Sequence, residues 1–279
     1  MQIIKNLVEP LVDQFTIKTN EEDYINEKTG LLMCGNCNTP KQCIVEIEGK
    51  IYKPKCLCKC GKEKRDREEE EAKQREFEKR INKYRTMGFP ESEMQNWNFK
   101  NDDLGNKKLT EIAKRYVANF DRFYKEGKGL LLYGGVGTGK TYIACMVANA
   151  LIDEGYQILV TNFSRILNTL QSTTNKQEYL DSLNKFKLIV IDDLGVERDT
   201  GYAKEQVFSI IDSRYREELH MIITTNLSMK KLATETDLAY KRVYDRIIER
   251  CYPIEVKGES RRIKKLLNSS DDMKSILGI

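Results

Sequence analysis

The sequence predicts an α/β fold with a mostly parallel sheet covered by helices, preceded by a small cysteine-rich module. Three observations carry this expectation. Short apolar runs alternate with amphipathic helical patterns from residue 130 onward, the signature of strands buried between helices. Residues 134–141 read Gly-Gly-Val-Gly-Thr-Gly-Lys-Thr, a full match to the phosphate-loop pattern G-x-x-x-x-G-K-[ST], set between an apolar run and a helical pattern. Six of the eight cysteines fall within residues 34–60.

Taken in order, residues 1–30 carry apolar positions at Ile3, Ile4, Leu7, Val8, Leu11, Val12 and Phe15, spaced as in an amphipathic helix, with Pro10 marking a break. Residues 34–60 hold the cysteines. Residues 62–83 mix acids and bases with few apolar positions, which predicts a solvated helix laced with i,i+4 pairs. One amphipathic helix is predicted over 109–124, with Leu109, Ile112, Ala113, Tyr116, Val117, Phe120, Phe123 and Tyr124 on one side. Strands are predicted at 130–133, 157–161, 187–191, 220–224 and 252–256. Helices are predicted at 140–154, 163–172, 176–184, 203–218 and 237–249. The tail from Asn268 is polar. The expected division is a module over 1–61, a charged helical linker over 62–104, a nucleotide-binding domain over 105–267 and a tail over 268–279.

Composition narrows the classes. The formal net charge is +4, with 47 Lys+Arg against 43 Asp+Glu, so any nucleic-acid contact is a local patch rather than a global field. No apolar run approaches the roughly 18–20 residues of a membrane span. The first residues lack the apolar core of a signal peptide. A cytoplasmic protein is the expectation, and clustered cysteines there point to metal rather than disulfides.

The chemistry follows from residue types. Gly134, Gly135, Val136, Gly137, Thr138 and Gly139 form the cradle, where glycines let backbone N–H groups curl around phosphate oxygens. The following helix, opening at Lys140, Thr141 and Tyr142, adds its positive end. Lys140 reaches the β- and γ-phosphates of ATP and Thr141 ligates Mg²⁺. The apolar run Leu188-Ile189-Val190-Ile191 ends in Asp192 and Asp193. Asp192 is thereby placed at the carboxyl edge of the sheet, ready for the Mg²⁺ shell, with Asp193 the candidate to polarise water. The strand ending Thr224-Thr225-Asn226 offers Asn226 to orient that water. Arg242 and Arg246, four apart on one helix face, suit the γ-phosphate of a neighbouring subunit. Gly258-Glu259-Ser260-Arg261-Arg262 supplies a further arginine to sense nucleotide in cis.

Among the cysteines, Cys34-Gly35-Asn36-Cys37 is a C-x₂-C knuckle, and Cys56, Cys58 and Cys60 follow as C-x-C-x-C. Two such pairs build a tetrahedral thiolate site for Zn²⁺. Cys34, Cys37, Cys58 and Cys60 are the preferred four, Cys56 competes for a place and Cys43 is the spare. Structural zinc would stand in for a core that so short a segment lacks.

The phosphate loop, Ile191-Asp192-Asp193-Leu194-Gly195-x-Glu197, Ile223-Thr224-Thr225-Asn226-Leu227, the Arg242/Arg246 helix and Gly258-x-Ser260-x-Arg262 occur in that order. Over residues 105–266 this resembles the AAA+ clade of bacterial helicase loaders, the DnaC/DnaI-like proteins, and their transposition relative IstB. The resemblance implies an AAA+ P-loop NTPase with Lys140 and Thr141 as Walker A, Asp192 and Asp193 as Walker B, Asn226 as sensor 1 and Arg262 as sensor 2. It also implies Arg246 as the arginine finger, beside Arg242. Asp193 stands where most AAA+ proteins carry Glu; the clade commonly has Asp there, with modest turnover, and little room for a helical lid. The resemblance further implies a zinc module that grips a hexameric replicative DNA helicase, ATP-dependent self-association, and single-stranded DNA held along the assembly. Phe163, Ser164, Arg165, Tyr202 and Lys204 are the candidate DNA contacts, with Phe163 and Tyr202 equally readable as core. The alternatives are a transposition-helper ATPase of the IstB type and a zinc-centred adaptor with negligible hydrolysis. IstB-like proteins usually lack such a module.

Overall fold

The computed structural model describes residues 20–102, 105–197 and 199–263. The apolar pattern read at 3–15 and the tail from Asn268 lie outside them. The chain divides into two compact units, Met1–Glu78 and Lys79–Ile279.

In the first unit, β1 (Tyr24–Ile25) pairs antiparallel with β2 (Leu32–Met33), and β3 (Val45–Ile47) with β4 (Lys50–Tyr52). Glu48 and Gly49 join β3 to β4, both at positive φ (51° and 75°), as a two-residue hairpin turn with the twist of its strands requires. Among the described residues of this unit, little apolar surface is buried beyond Leu31, Cys34 and Cys58. An ion pair between Asp23 and Lys41, both side chains almost fully enclosed, takes the place of further core. Helix α1 (Lys59–Gly88) begins at the last cysteines and runs beyond the 62–83 stretch read from the sequence. Its pairs Lys64–Glu68, Arg65–Glu69 and Glu71–Arg75 are all exposed, so each contributes little.

The second unit opens with a 3₁₀ turn at Ser92–Asn96, followed by α2 (Lys107–Ala118) and α3 (Phe120–Glu126). The single helix expected over 109–124 is therefore two. Asn119 interrupts it at φ −116° and ψ 20°, its amide Nδ2 donating to Arg115 O at 2.8 Å. A short polar side chain that bonds its own backbone competes with helix continuation. The break lets Phe120 meet Tyr156 and His220 edge-on while Phe123 stacks on Tyr116.

The remaining elements are β5 (Gly129–Tyr133), α4 (Lys140–Asp153), β6 (Ile158–Asn162), α5 (Phe163–Ser172), α6 (Lys176–Asn184), β7 (Leu188–Leu194), α7 (Gly201–Arg216), β8 (His220–Thr225), α8 (Met229–Ala233), α9 (Leu238–Arg250) and β9 (Cys251–Glu255). The five strands β5–β9 form one sheet in the order β6-β7-β8-β5-β9, and every pairing is parallel. Strands buried on both faces explain the unbroken runs Leu188-Ile189-Val190-Ile191 and Met221-Ile222-Ile223. Asn162 caps α5, Asn175 α6, Thr200 α7 and Asp237 α9, each accepting from a first-turn N–H. Arg214, wholly buried, donates to Leu183 O, Phe186 O and His220 O and so closes the C-terminal end of α6 onto β8.

Parallel pairing brings the carboxyl ends of the strands to one edge. Asn162 lies opposite Asp192, and Tyr133 lies between Thr225 and Glu255. β5, which delivers the glycine loop, is the strand flanked by β8 and β9 where the order reverses, the place open α/β sheets use for ligands.

Candidate nucleotide-binding site and cysteine cluster

The glycine loop leaves β5 at Gly134 (φ 145°) and enters α4 at Gly139 (φ 96°). A side chain at Gly134 would place its Cβ 2.4 Å from Val256 O, and one at Gly137 2.2 Å from Ser260 Oγ. Only glycine fits where the loop meets the segment after β9, and Arg261 N donates to Gly137 O at 2.9 Å to hold that contact. Thr138 Oγ1 closes the loop on Gly135 O at 2.9 Å.

Lys140 is buried at the start of α4. Its ammonium donates to Gly134 O (3.0 Å), Gly135 O (2.7 Å) and Asn226 Oδ1 (2.7 Å). Burial depresses its pKa, while the charges of Asp193 and Asp192 oppose the shift. Thr141 Oγ1 donates to Asp192 Oδ1 at 2.8 Å, and Thr224 Oγ1 donates to the same oxygen at 2.6 Å. Burial pushes the Asp192 carboxyl up despite those two hydroxyls. Such a carboxylate, paired with a threonine hydroxyl at the mouth of the phosphate loop, fits a hard divalent ion.

Asp193 follows in the left-handed region at φ 54°, where the β7–β8 register shifts between Ile191 and Leu194. Its N–H donates to Thr224 Oγ1 at 2.9 Å, so one hydroxyl orients both acids. Backbone strain of this kind is held by surrounding structure.

Lys140, Thr141, Asp192, Asp193, Asn226 and Arg262 share one cleft of about 1010 Å³, with Val136, Gly137, Thr138, Gly139 and Tyr142 also on its wall. Gly134 and Gly135 join through the carbonyls that hold Lys140. Arg246 stands elsewhere. It lies on α9 with Nε on Asp212 Oδ1 (2.8 Å) and its guanidinium 4.7 Å from the Phe208 ring centre. Arg242, one turn earlier, is exposed.

Two of the proposed DNA contacts are differently placed. Phe163 is buried in the core against Ile166, Leu170 and Ile191, so the stacking reading is corrected: the first residue of α5 turns inward. Lys204 is engaged by Asp199 (2.7 Å) and Asp237 (2.6 Å). Ser164 and Arg165 are exposed, and Tyr202 is half-buried beneath the Lys176 ammonium.

The cleft has a wall that the sequence reading missed: Met94, Trp97, Asn101 and Arg261. Trp97, the single tryptophan of the chain, lies 5.6 Å from the Tyr142 ring, and the Arg261 guanidinium lies 5.1 Å from that ring on the same cleft. Its one sequence signal is an aromatic pair, Trp97 and Phe99, in a polar stretch. Thr224 was missed as well, being read as strand.

In the first unit, the sulfurs of Cys34, Cys37, Cys58 and Cys60 all lie within 4.8 Å of one another. Four thiolates about 2.3 Å from a central Zn²⁺ would stand roughly 3.8 Å apart, so the set fits that ion. The Cys60 backbone N–H and the Thr39 hydroxyl pull the Cys37 thiol down, whereas the crowd of thiols at Cys58, Cys37 and Cys34 pushes Cys60 up. Cys56 is directed to Pro40 O and Cys43 to Pro54 O, outside the group. His220 sits buried in β8, stacked on Tyr124, with burial pushing its pKa down to about 4.

A glycine loop, paired acids and a polar strand end on a parallel sheet define a P-loop ATP-binding protein of the AAA+ fold. The family model for IstB-like ATP binding proteins matches residues 64–269, most of the chain, and the chain belongs to that family. It is 27% identical over 164 residues to the replicative helicase loader DnaI of Bacillus subtilis (strain 168), covering 53% of each chain. It is 28% identical over 161 residues to the replicative helicase loader DnaC of Escherichia coli (strain K12), covering 55% of this chain and 63% of DnaC. The matches thus span about half to three fifths of these relatives. Among solved structures, that of DnaI aligns at TM-score 0.55 and 28% identity, over 64% of this chain and 98% of that one. That of the DnaC helicase loader aligns at TM-score 0.52 and 26% identity, over 60% and 100%. Among the described residues, no helix is long and apolar enough to cross a membrane.

Proposed function

We propose that this chain is an ATP-dependent loader of a hexameric replicative DNA helicase, acting in the initiation of DNA replication in the cytoplasm. The observation that carries the reading is the conjunction of two sites in one chain: the Lys140–Thr141–Asp192–Asn226 cleft and the four-cysteine cluster ahead of it. The similarity to two named helicase loaders supports it.

In this reading the loop N–H groups and Lys140 bind the triphosphate. Lys140 leaves Gly134 O, Gly135 O and Asn226 Oδ1 for phosphate oxygens, and its release frees the Asn226 amide to orient water. Thr141 and Asp192 would hold Mg²⁺, which screens phosphate charge when bound. Thr224 fixes Asp192 and positions the Asp193 backbone, so that the Asp193 carboxylate takes the proton of the attacking water. Arg262 contacts the triphosphate in cis. Arg246 serves a neighbouring subunit's nucleotide after parting from Asp212, making turnover slow in isolation and faster on self-association or on single-stranded DNA. Arg165 and Ser164, exposed at the start of α5, are the contacts kept for that strand.

Residues 1–61 would contact the helicase, with Zn²⁺ held by Cys34, Cys37, Cys58 and Cys60 supplying a rigid crosslink. Residues 62–104 serve as a charged helical linker and residues 105–267 as the ATPase. The test is helicase loading on closed circular single-stranded DNA. Loading that requires this protein and ATP supports the reading. Duplex DNA and transposase binding without any effect on the helicase favours the IstB-type helper instead, and ATP binding with no turnover in any assembly favours the adaptor.

A further inference from the structure

We propose that Asn149, a buried amide on α4 beyond the phosphate loop, is a positioning residue that sets the wall against which the base of the nucleotide lies. The proposal rests on the reading of the cleft as an ATP site.

Asn149 is only 1% exposed. Its Nδ2 lies 2.9 Å from Met94 O, 2.9 Å from Trp97 O and 3.1 Å from Cys145 O. Three carbonyl oxygens around one group fix the amide's orientation, because only the NH₂ end can face them. Among the described residues, its Oδ1 is buried without a partner. The residue therefore serves as a donor, and it ties a segment distant in sequence to the helix that carries Lys140 and Thr141.

That segment is one side of the cleft. Met94, Trp97 and Asn101 all line it. A second tie comes from Tyr142, whose hydroxyl donates to Asn101 O at 3.0 Å. Tyr142, Cys145 and Asn149 are spaced three and four apart, one stripe along α4. The stripe seats residues 94–101 at Met94, Trp97 and Asn101, with the Trp97 ring beside Tyr142.

The division of labour follows from chemistry. The phosphate end is lined by loop N–H groups, Lys140 and Thr141. Met94, Trp97 and Tyr142 give the cleft its apolar and aromatic surface, which suits a flat purine ring. Loosening this wall weakens the grip on the base and leaves the phosphate cradle, which depends on the loop glycines and Lys140, as it was.

The experiment measures binding of Mg²⁺-ATP and of Mg²⁺-tripolyphosphate to full-length protein, wild type and Asn149→Ala. The emission of Trp97, the sole tryptophan, serves as a second readout. Losing the shared hydrogen bonds predicts about a tenfold weaker ATP affinity. Tripolyphosphate affinity stays within about twofold, and Trp97 emission in the nucleotide-free variant moves to the red. Asn149→Ser keeps a donor and loses less packing; it should show a smaller loss with the same selectivity, and it carries the test if the alanine variant does not fold. Equal weakening of both ligands overturns the proposal, as does an unchanged ATP affinity. A wild type that binds tripolyphosphate as tightly as ATP overturns it too, by removing the base from recognition. A wild type that binds neither overturns the ATP reading itself.

Discussion

Replacing Lys140 by methionine removes one ammonium from the cleft and little volume. That ammonium holds three acceptors, on Gly134, Gly135 and Asn226. Binding exchanges those bonds for charge-assisted bonds to phosphate oxygens. Truncating one partner of a buried, hydrogen-bonded charge pair costs about 2–5 kcal/mol of binding. The net loss for Lys140→Met is placed in the lower part of that range, about 2–4 kcal/mol, or roughly 30- to 1000-fold in affinity. Thermal unfolding with and without Mg²⁺-ATP reads this directly. At ATP about 100-fold above its dissociation constant the wild type gains about 2.7 kcal/mol, a rise of roughly 5–10 °C for a unit of this size. At the same concentration a variant binding about 100-fold more weakly gains about 0.4 kcal/mol, roughly 1 °C. A variant that shifts as far as the wild type refutes the assignment of Lys140 to the triphosphate.

Three further outcomes follow from the same geometry. Asp192→Asn keeps an acceptor for Thr141 and Thr224 and removes a charge that burial disfavours, so the nucleotide-free protein should melt a few degrees higher at neutral pH. Because the folded carboxyl has the raised pKa, it holds its proton better than the unfolded chain does; the advantage of the variant shrinks as pH falls through that pKa, and pH-resolved melts check it. Arg246→Ala should leave ATP binding by isolated chains within about twofold while abolishing assembly-stimulated turnover, and mixing it with Lys140→Met chains, which keep Arg246 but bind ATP weakly, should restore part of that turnover. Cys58→Ser should lower bound zinc, measured by elemental analysis, and leave the ATP-induced thermal shift intact.

Much of this molecule is legible in its sequence where one physical cause dominates. Strands buried on both faces must be apolar throughout, so β5, β7 and β8 announce themselves. The glycine loop is legible because close contact with the Val256 backbone and the Ser260 side chain excludes a Cβ. The four gathered cysteines are legible from their spacing. What escaped the sequence depends on contacts between remote segments. The break at Asn119 turns on one side-chain bond to Arg115, and α8, at five residues, is too short to show a period. The inward turn of Phe163 depends on the angle at which α5 leaves β6. The role of Thr224 and the wall at Met94 and Trp97 exist only once β8 and α4 lie beside their partners.

Mass photometry of full-length protein mixed with the hexameric helicase of its host tests the proposed grip on a replicative helicase. The expected result is a species heavier than the helicase hexamer that forms with wild type and is lost with Cys37→Ser/Cys58→Ser. A helicase hexamer of unchanged mass, with and without ATP, contradicts it.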